Sequence, residues 1–192
     1  MIAIIKYNAG NISSVQNALT RLGYESIITD DETQILSADK VILPGVGEAS
    51  SAMKYMIEKG LDKIILSIKK PMLGICLGQQ LMCDYTEEGD TDCLGIFNTQ
   101  VKKFTETEIV PHMGWNSFTK IEGELFKKLQ PKADVYFVHS YYAEINEQTT
   151  AVCDYIKPFS AAMQKDNFYA TQFHPEKSAN IGEQILKNFL EL

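Results

Sequence analysis

The sequence predicts an α/β fold with a mostly parallel central sheet flanked by helices and with additional antiparallel strands in the C-terminal half. Over the first 85 residues, short apolar runs alternate with amphipathic segments, which is the pattern of βαβ units. The second half is richer in short β-prone runs separated by turns such as 165–167. The length of 192 residues fits one domain with a sizeable core, so we expect a single domain over residues 1–192.

The first half divides into strands and helices in alternation. The first helix carries Ile12, Val15, Leu19 and Leu22 on one face, and Gly23 follows as a stop signal. The same reasoning predicts strands over 2–6, 26–29, 41–43 and 72–75, and helices over 11–22, 49–56 and from 76 to about 85.

The second half contains more strands and fewer helices. Residues 125–129 suggest a short helix, and Ser178 is the expected cap of a final helix whose apolar face includes Ile181, Ile185 and Phe189. The segment 87–93 is the most loop-like. Strands are predicted over 99–104, 117–121, 135–138, 141–145, 151–155, 161–164 and 168–172.

Composition excludes several classes of function. Hydrophobic residues make up 45% and charged residues 22%, and the net charge of −7 comes without a Lys/Arg cluster, which argues against a nucleic-acid surface. The N-terminus lacks a charged leader, and no apolar run reaches membrane-spanning length. The four cysteines (Cys76, Cys83, Cys93 and Cys153) show no C-x-x-C spacing, so we expect reduced thiols in a cytoplasmic protein. No His or Cys pair has ligand spacing, and we expect no metal and no cofactor.

Cys76 is the strongest candidate for a nucleophile. It lies between Gly74 and Gly78 at the end of a short apolar run, in a G-x-C-x-G version of the strand–turn–helix nucleophile elbow. The first turn of the following helix would favour a thiolate. The alternative is a small buried core residue, which is the interpretation we give to the other three cysteines.

His174 is the candidate base, because a carboxylate follows two residues later at Glu176. In an extended segment these side chains point the same way, so Glu176 can bond Nδ1 and leave Nε2 for the thiol. A surface His-Pro-Glu turn is the alternative. His139 is a rival base without such a carboxylate, and His112 is expected in a loop beside Pro111.

Four segments that follow predicted strands should meet at one edge of the sheet, where open α/β folds bind ligands. They contain the 44–47 loop, Cys76, His139 with Ser140, and His174. Acyl transfer also needs an oxyanion hole. We expect the amide of Leu77 as one donor and the glycine loop, with Val46 and Gly47, as the other.

The motifs resemble those of the class I (triad) glutamine amidotransferases, and more specifically the glutaminase subunits of imidazole glycerol phosphate synthase from histidine biosynthesis. The resemblance covers essentially the whole chain and implies that family's three-layer α/β fold. It rests on GICLGQQL (74–81), HPE (174–176), PGVG (44–47), PHMGWN (111–116), FVHSY (137–141) and ATQFHPEKS (170–178).

The resemblance implies a Cys76, His174 and Glu176 triad that hydrolyses L-glutamine through a thioester, and a (β/α)₈-barrel cyclase partner that receives the ammonia in a heterodimer. It implies that the amino-acid end of glutamine is held by Gln80, Glu88 and the backbone of His139, Ser140 and Tyr141, and that Trp115, Asn116 and Lys177 lie at the subunit interface. From the residues alone, Glu88 fits equally a solvated loop carboxylate, and Trp115 fits a core position.

Three alternatives remain open from the sequence. The same chemistry could serve another acceptor synthase, for example in sugar amination. A stand-alone cysteine hydrolase or peptidase could use the same scaffold. A non-catalytic binding or redox protein could use Cys76 as a sensor thiol.

Overall fold

The computed structural model describes residues 1–8, 10–105 and 107–192. The helices are α1 (Ile12–Arg21), α2 (Glu32–Ser37), α3 (Ala49–Glu58), α4 (Leu61–Ser67), α5 (Leu77–Leu81) and α6 (Ala179–Leu190). The strands are β1 (Ile2–Ile5), β2 (Ser26–Thr29), β3 (Lys40–Leu43), β4 (Met72–Ile75), β5 (Cys83–Thr86), β6 (Thr91–Asp92), β7 (Phe97–Lys103), β8 (His112–Ile121), β9 (Asp134–His139), β10 (Tyr141–Ala143), β11 (Thr149–Tyr155), β12 (Lys157–Lys165) and β13 (Phe168–Thr171). Short 3₁₀ turns cover Glu124–Phe126 and Pro175–Lys177.

A nine-stranded sheet forms the centre of the described chain, in the order β2-β1-β3-β4-β13-β12-β11-β8-β9. The strands from β2 to β13 in this order are parallel to one another, and the pairs from β13 to β9 are antiparallel. The predicted class, a parallel sheet with antiparallel strands added by the C-terminal half, is therefore confirmed.

The central sheet is the middle of three layers. In β1, Ile2 and Ile4 face one core, whereas Ala3 and Ile5 face the other. A strand buried on both faces reads as a continuous apolar run, which is how β1 appears in the sequence. The first core includes residues of α1 and α6, and the second includes residues of α2, α3 and α4.

A second, smaller sheet of order β10-β7-β5-β6 was not predicted. It replaces the end of the predicted helix 76–85, because α5 ends at Leu81 and β5 begins at Cys83. Cys83 and Thr86 are buried while Asp84 is exposed, and β5 pairs in parallel with β7. Pairing between distant segments overrides the local pattern here, so Cys83 is a buried strand residue and not a helical one.

Three further expectations are corrected. Strand β8 begins five residues before the predicted 117–121 segment, because the stretch from His112 onward pairs with β9, so His112 is not in a loop. Ser178 precedes α6 but makes no capping hydrogen bond. Helices α2 and α4 were not predicted, although Asp31 caps α2 by accepting from the amide of Gln34 at 2.9 Å.

In the described ranges, no helix combines the length and the apolar character needed to cross a bilayer.

Candidate active site

The turn between β4 and α5 holds Cys76 in a conformation that few side chains adopt. Its φ is 55° and its ψ is −107°, and its amide donates to the carbonyl of Thr171 at 2.7 Å. A Cβ at Gly74 would come within 2.9 Å of the Gly78 backbone, and one at Gly78 would collide with the Leu43 carbonyl. The two glycines therefore permit the sharp turn, as expected for a nucleophile elbow. Because α5 has only five residues, its dipole is smaller than the predicted helix would supply.

The side chains of His174 and Glu176 are buried and in contact. His174 Nδ1 lies 2.8 Å from Glu176 Oε1, so this predicted contact is present. The local structure differs from the expectation, because only His174 is extended and Glu176 belongs to the 3₁₀ turn Pro175–Lys177. Asn11 Nδ2 donates to the same carboxylate oxygen at 2.6 Å, whereas Glu176 Oε2 is buried without a hydrogen-bond partner among the described residues.

His174 reaches from this carboxylate to the sulfur of Cys76. Burial lowers the pKa of His174, but hydrogen bonds with Cys76 and Glu176 and the charges of both outweigh it and raise the pKa to about 10. Both neighbours therefore favour the protonated form of the ring. A cationic ring beside a cysteine sulfur is the arrangement that an ion-paired thiolate requires.

A second set of polar contacts reaches the Cys76 sulfur through Gln172. Gln172 Nε2 lies 3.6 Å from Cys76 Sγ, and its Oε1 accepts from Gln80 Nε2 at 2.9 Å. The remaining N–H of Gln80 donates to the Tyr141 carbonyl at 3.0 Å. Gln172 was missed as a site residue, although it precedes His174 by two positions, and the argument that linked Glu176 to His174 would also have found it.

A cavity of about 280 Å³ opens above Cys76. All the residues expected to bind the substrate contribute to it. Glu88 is half-buried there, and its Oε2 accepts from the Ala49 amide at 2.9 Å. Burial raises the pKa of Glu88, against the effect of this bond. The lining residues are Val46, Gly47, Cys76, Leu77, Gln80, Glu88, Pro111, Val138, His139, Ser140 and Tyr141.

One predicted oxyanion donor, the Leu77 amide, is not free in this arrangement. The Leu77 amide donates to the Gly45 carbonyl at 3.3 Å, and the Val46 carbonyl accepts from the Gly10 amide at 3.1 Å. Gly47 has a φ of 140°, which a side chain would disfavour. The Gly45 carbonyl therefore occupies the Leu77 amide, which is not available to a substrate oxygen in this arrangement.

Neither nitrogen of the rival base His139 is available to Cys76. Its Nδ1 lies 2.7 Å from the Tyr141 carbonyl, and its Nε2 lies 3.0 Å from His112 Nδ1. Burial lowers the pKa of His139 to about 3 and that of His112 to about 4. His139 is therefore a neutral, fully bonded ring, which leaves His174 as the candidate base.

The residues expected at an interface lie on β8 and in the 3₁₀ turn Pro175–Lys177. The Trp115 side chain is 55% exposed, so the alternative of a core tryptophan is wrong. Asn116 is partly buried and Lys177 is exposed. Trp115 and Asn116 are part of strand β8 and not of a loop.

The fold and the candidate site are those of a glutamine amidotransferase, and the comparison with known proteins gives the family. The family model for class-I glutamine amidotransferase matches residues 3–192. The chain belongs to the class I glutamine amidotransferases.

Particular relatives narrow the similarity. The chain is 58% identical to the imidazole glycerol phosphate synthase subunit HisH of Bacteroides fragilis, over all of this chain and 99% of that protein. It is 44% identical to the HisH subunit of Escherichia coli, with the same coverage. A crystal structure of a glutamine amidotransferase from Thermotoga maritima superposes with a TM-score of 0.63 at 18% identity, covering 99% of this chain and 82% of that one.

Proposed function

We propose that the chain is the glutaminase subunit of an imidazole glycerol phosphate synthase. In this role it hydrolyses L-glutamine to L-glutamate and ammonia and delivers the ammonia to a (β/α)₈-barrel cyclase subunit for histidine biosynthesis. The observation that carries the proposal is the 58% identity, over the whole chain, to a subunit of that synthase. The buried contacts of His174 with Cys76 and Glu176 support the glutaminase chemistry.

The mechanism assigns one step to each member of the triad. The sulfur of Cys76 attacks the side-chain amide carbon of glutamine, and His174 supplies the proton that the departing ammonia needs. A thioester remains, and water attacks it while His174 accepts a proton. The second collapse breaks the C–S bond and releases glutamate. Glu176 holds the His174 ring with Nδ1–H toward itself.

The remaining assignments complete the proposal. Leu77 and the loop with Val46 and Gly47 form the oxyanion hole once the Gly45 carbonyl has turned. Gln80, Glu88 and the backbone of His139, Ser140 and Tyr141 hold the amino-acid end of glutamine. The cyclase docks on Trp115, Asn116 and Lys177. Residues 1–192 act as a single domain, in the cytoplasm and with reduced thiols.

The direct test is ammonia release from glutamine with and without the purified cyclase and its ribonucleotide substrate. We expect turnover to rise with the cyclase and to fall by about 10³-fold or more in Cys76→Ala and His174→Ala. Substantial activity in Cys76→Ala would contradict the chemistry. The matched control is Cys153→Ala, whose thiol is buried in the core away from the cavity, and which should retain activity.

A second arm tests the acceptor. Cyclases and other amidotransferase synthases would be added one at a time to the same glutaminase assay. We expect stimulation by the histidine-pathway cyclase. Stimulation by another synthase in its place would overturn the specific assignment and leave the glutaminase chemistry intact.

A further inference from the structure

Two histidines that the triad does not use are buried side by side in an aromatic cluster. His112 and His139 are 4% and 5% exposed. The His112 ring stacks on Tyr155 with a centroid distance of 3.9 Å and on Phe137 at 5.0 Å. Buried polar groups need hydrogen-bond partners, and both rings have one at each nitrogen.

The partners fix which nitrogen of each ring bears the proton. The Tyr141 carbonyl can only accept, so the proton of neutral His139 is on Nδ1, and its Nε2 accepts from His112 Nδ1. His112 Nε2 must then accept, and Asn116 Nδ2 lies 3.4 Å away to donate to it. The other N–H of Asn116 donates to the Asp154 carbonyl at 3.0 Å, which fixes the orientation of this amide.

The same series of hydrogen bonds continues to the cavity above Cys76. The Tyr141 carbonyl also accepts from Gln80, and Gln80 donates in turn to Gln172, whose amide reaches Cys76 Sγ. A single carbonyl oxygen therefore joins the histidine pair to the side chain that lines the cavity. If this carbonyl moved, Gln80 would lose one of its two anchors.

We propose that His112 and His139 act as positioning residues for glutamine binding: a neutral pair, each with its proton on Nδ1, holds the Tyr141 carbonyl and thereby Gln80. This proposal rests on the proposed function for its substrate, and it assigns His112 a role although it does not line the cavity. The backbones of Cys76 and His174 are held by other contacts, because their amides donate to the carbonyls of Thr171 and Tyr136. Loss of the pair should therefore weaken glutamine binding more than it slows chemistry.

The kinetic test compares His112→Phe with His112→Gln. Phenylalanine keeps an aromatic ring but interrupts the series of hydrogen bonds. The side chain that His112→Gln introduces can donate an N–H to His139 and accept from Asn116 with its oxygen. We expect His112→Phe to raise the KM for glutamine about tenfold while kcat changes by less than about threefold. His112→Gln should restore KM to within about threefold of the wild type. The control is Tyr155→Phe, which keeps the ring that packs on His112 and leaves this series of hydrogen bonds intact. It should have the wild-type KM.

A spectroscopic test reads the position of each proton in the wild-type protein. In wild-type protein labelled with ¹⁵N-histidine, we expect both rings to be neutral at neutral pH with the proton on Nδ1, and His112→Gln serves to assign the signals. A proton on Nε2 of either ring, or an unchanged KM in folded His112→Phe, would overturn the inference. Absence of ammonia release by the wild type would instead overturn the proposed function and leave the spectroscopic result standing.

Discussion

At the scale of single residues, the candidate site combines a cysteine in an unusual backbone conformation with a histidine whose protonated form is favoured by its neighbours. The φ of 55° at Cys76 is unusual for a residue with a side chain, and such strain concentrates at functional positions. His174 gains its charge from neighbours that are themselves buried, since its side chain and that of Glu176 are 1% and 0% exposed. The chemistry therefore depends on contacts that water does not screen.

The raised pKa of His174 makes stability depend on pH. The pKa rises from 6.5 to about 10 on folding, so the native state binds a proton that the unfolded state has lost. The resulting stabilisation is complete below about pH 6.5 and is lost as the pH rises toward about 10. Urea unfolding across this range should show a steeper loss of stability in the wild type than in His174→Gln. Equal slopes in the two proteins would contradict the assignment of this proton to His174.

Asn11 should behave as a positioning residue for Glu176. Its amide donates to Glu176 Oε1 at 2.6 Å, and this oxygen also faces His174. We expect Asn11→Ala to lower kcat/KM for glutamine about tenfold, since one hydrogen bond to a charged group is lost. The control is Asn8→Ala, an exposed residue of the same segment, which should match the wild type. Full activity of Asn11→Ala would show that His174 alone fixes the carboxylate.

The sequence identified Cys76, His174 and Glu176 as candidates because their signals are local. Cys76 has glycines on both sides, and Glu176 stands two residues from His174. Asn11 and His112 were not identified, because their contacts bridge 165 residues to Glu176 and 27 residues to His139. Spacing along the chain carries no information about such contacts.

At the scale of secondary-structure elements, the turn from His174 to Ser178, called the catalytic turn here, is attached to the edge of the central sheet. Strand β9 is the last strand in the sheet, and its residue Tyr136 accepts from the His174 amide at 2.9 Å. The Tyr136 amide donates to Ser178 Oγ at 2.9 Å, and Ser178 Oγ donates to the His174 carbonyl at 2.7 Å. Ser178 thus holds the turn against β9, which explains why it does not cap α6.

Replacing this serine should loosen the catalytic turn. Ser178→Ala leaves the Tyr136 amide without its partner, and we expect a loss of about 1–3 kcal/mol in the free energy of unfolding together with a lower kcat. Urea denaturation and glutaminase kinetics measure the two effects. Ser13→Ala, on the exposed face of α1, should change stability by less than about 0.5 kcal/mol. A Ser178→Ala protein as stable as this control would refute the attachment.

The elements that the sequence predicted well are those whose burial creates a regular pattern. Strand β4 and helix α1 are examples, with a continuous apolar run and an amphipathic stripe. The sequence analysis assigned β5 to a helix because α5 has only five residues and β5 only four. In segments this short, the helical and strand periods of apolar residues cannot be told apart. The start of β8 was missed because the residues from His112 to Asn116 show no regular alternation of apolar and polar side chains, and only pairing with β9 makes them a strand.

At the scale of the whole molecule, the two halves of the sheet serve different parts of the site. The parallel half ends at the elbow with Cys76. In the antiparallel half, the end of β9 lines the cavity with Val138 and His139, and Tyr136 of the same strand bonds the His174 amide. Trp115 pairs with Tyr136 across these two strands, with ring centroids 5.9 Å apart. The proposed docking face therefore lies one strand away from the residue that anchors the catalytic turn.

This placement leads to a prediction about the partner. Trp115 is 55% exposed and its neighbour Met113 is 63% exposed, so the face offers apolar area that a partner could cover. We expect Trp115→Ala to weaken binding of the cyclase by about tenfold or more, because central aromatic residues dominate interface energies, and to leave the stability of the free chain unchanged. Calorimetric titration and thermal unfolding measure the two. Tyr24→Ala, at an exposed aromatic residue just before β2, is the control, and equal binding by both variants would place the cyclase elsewhere.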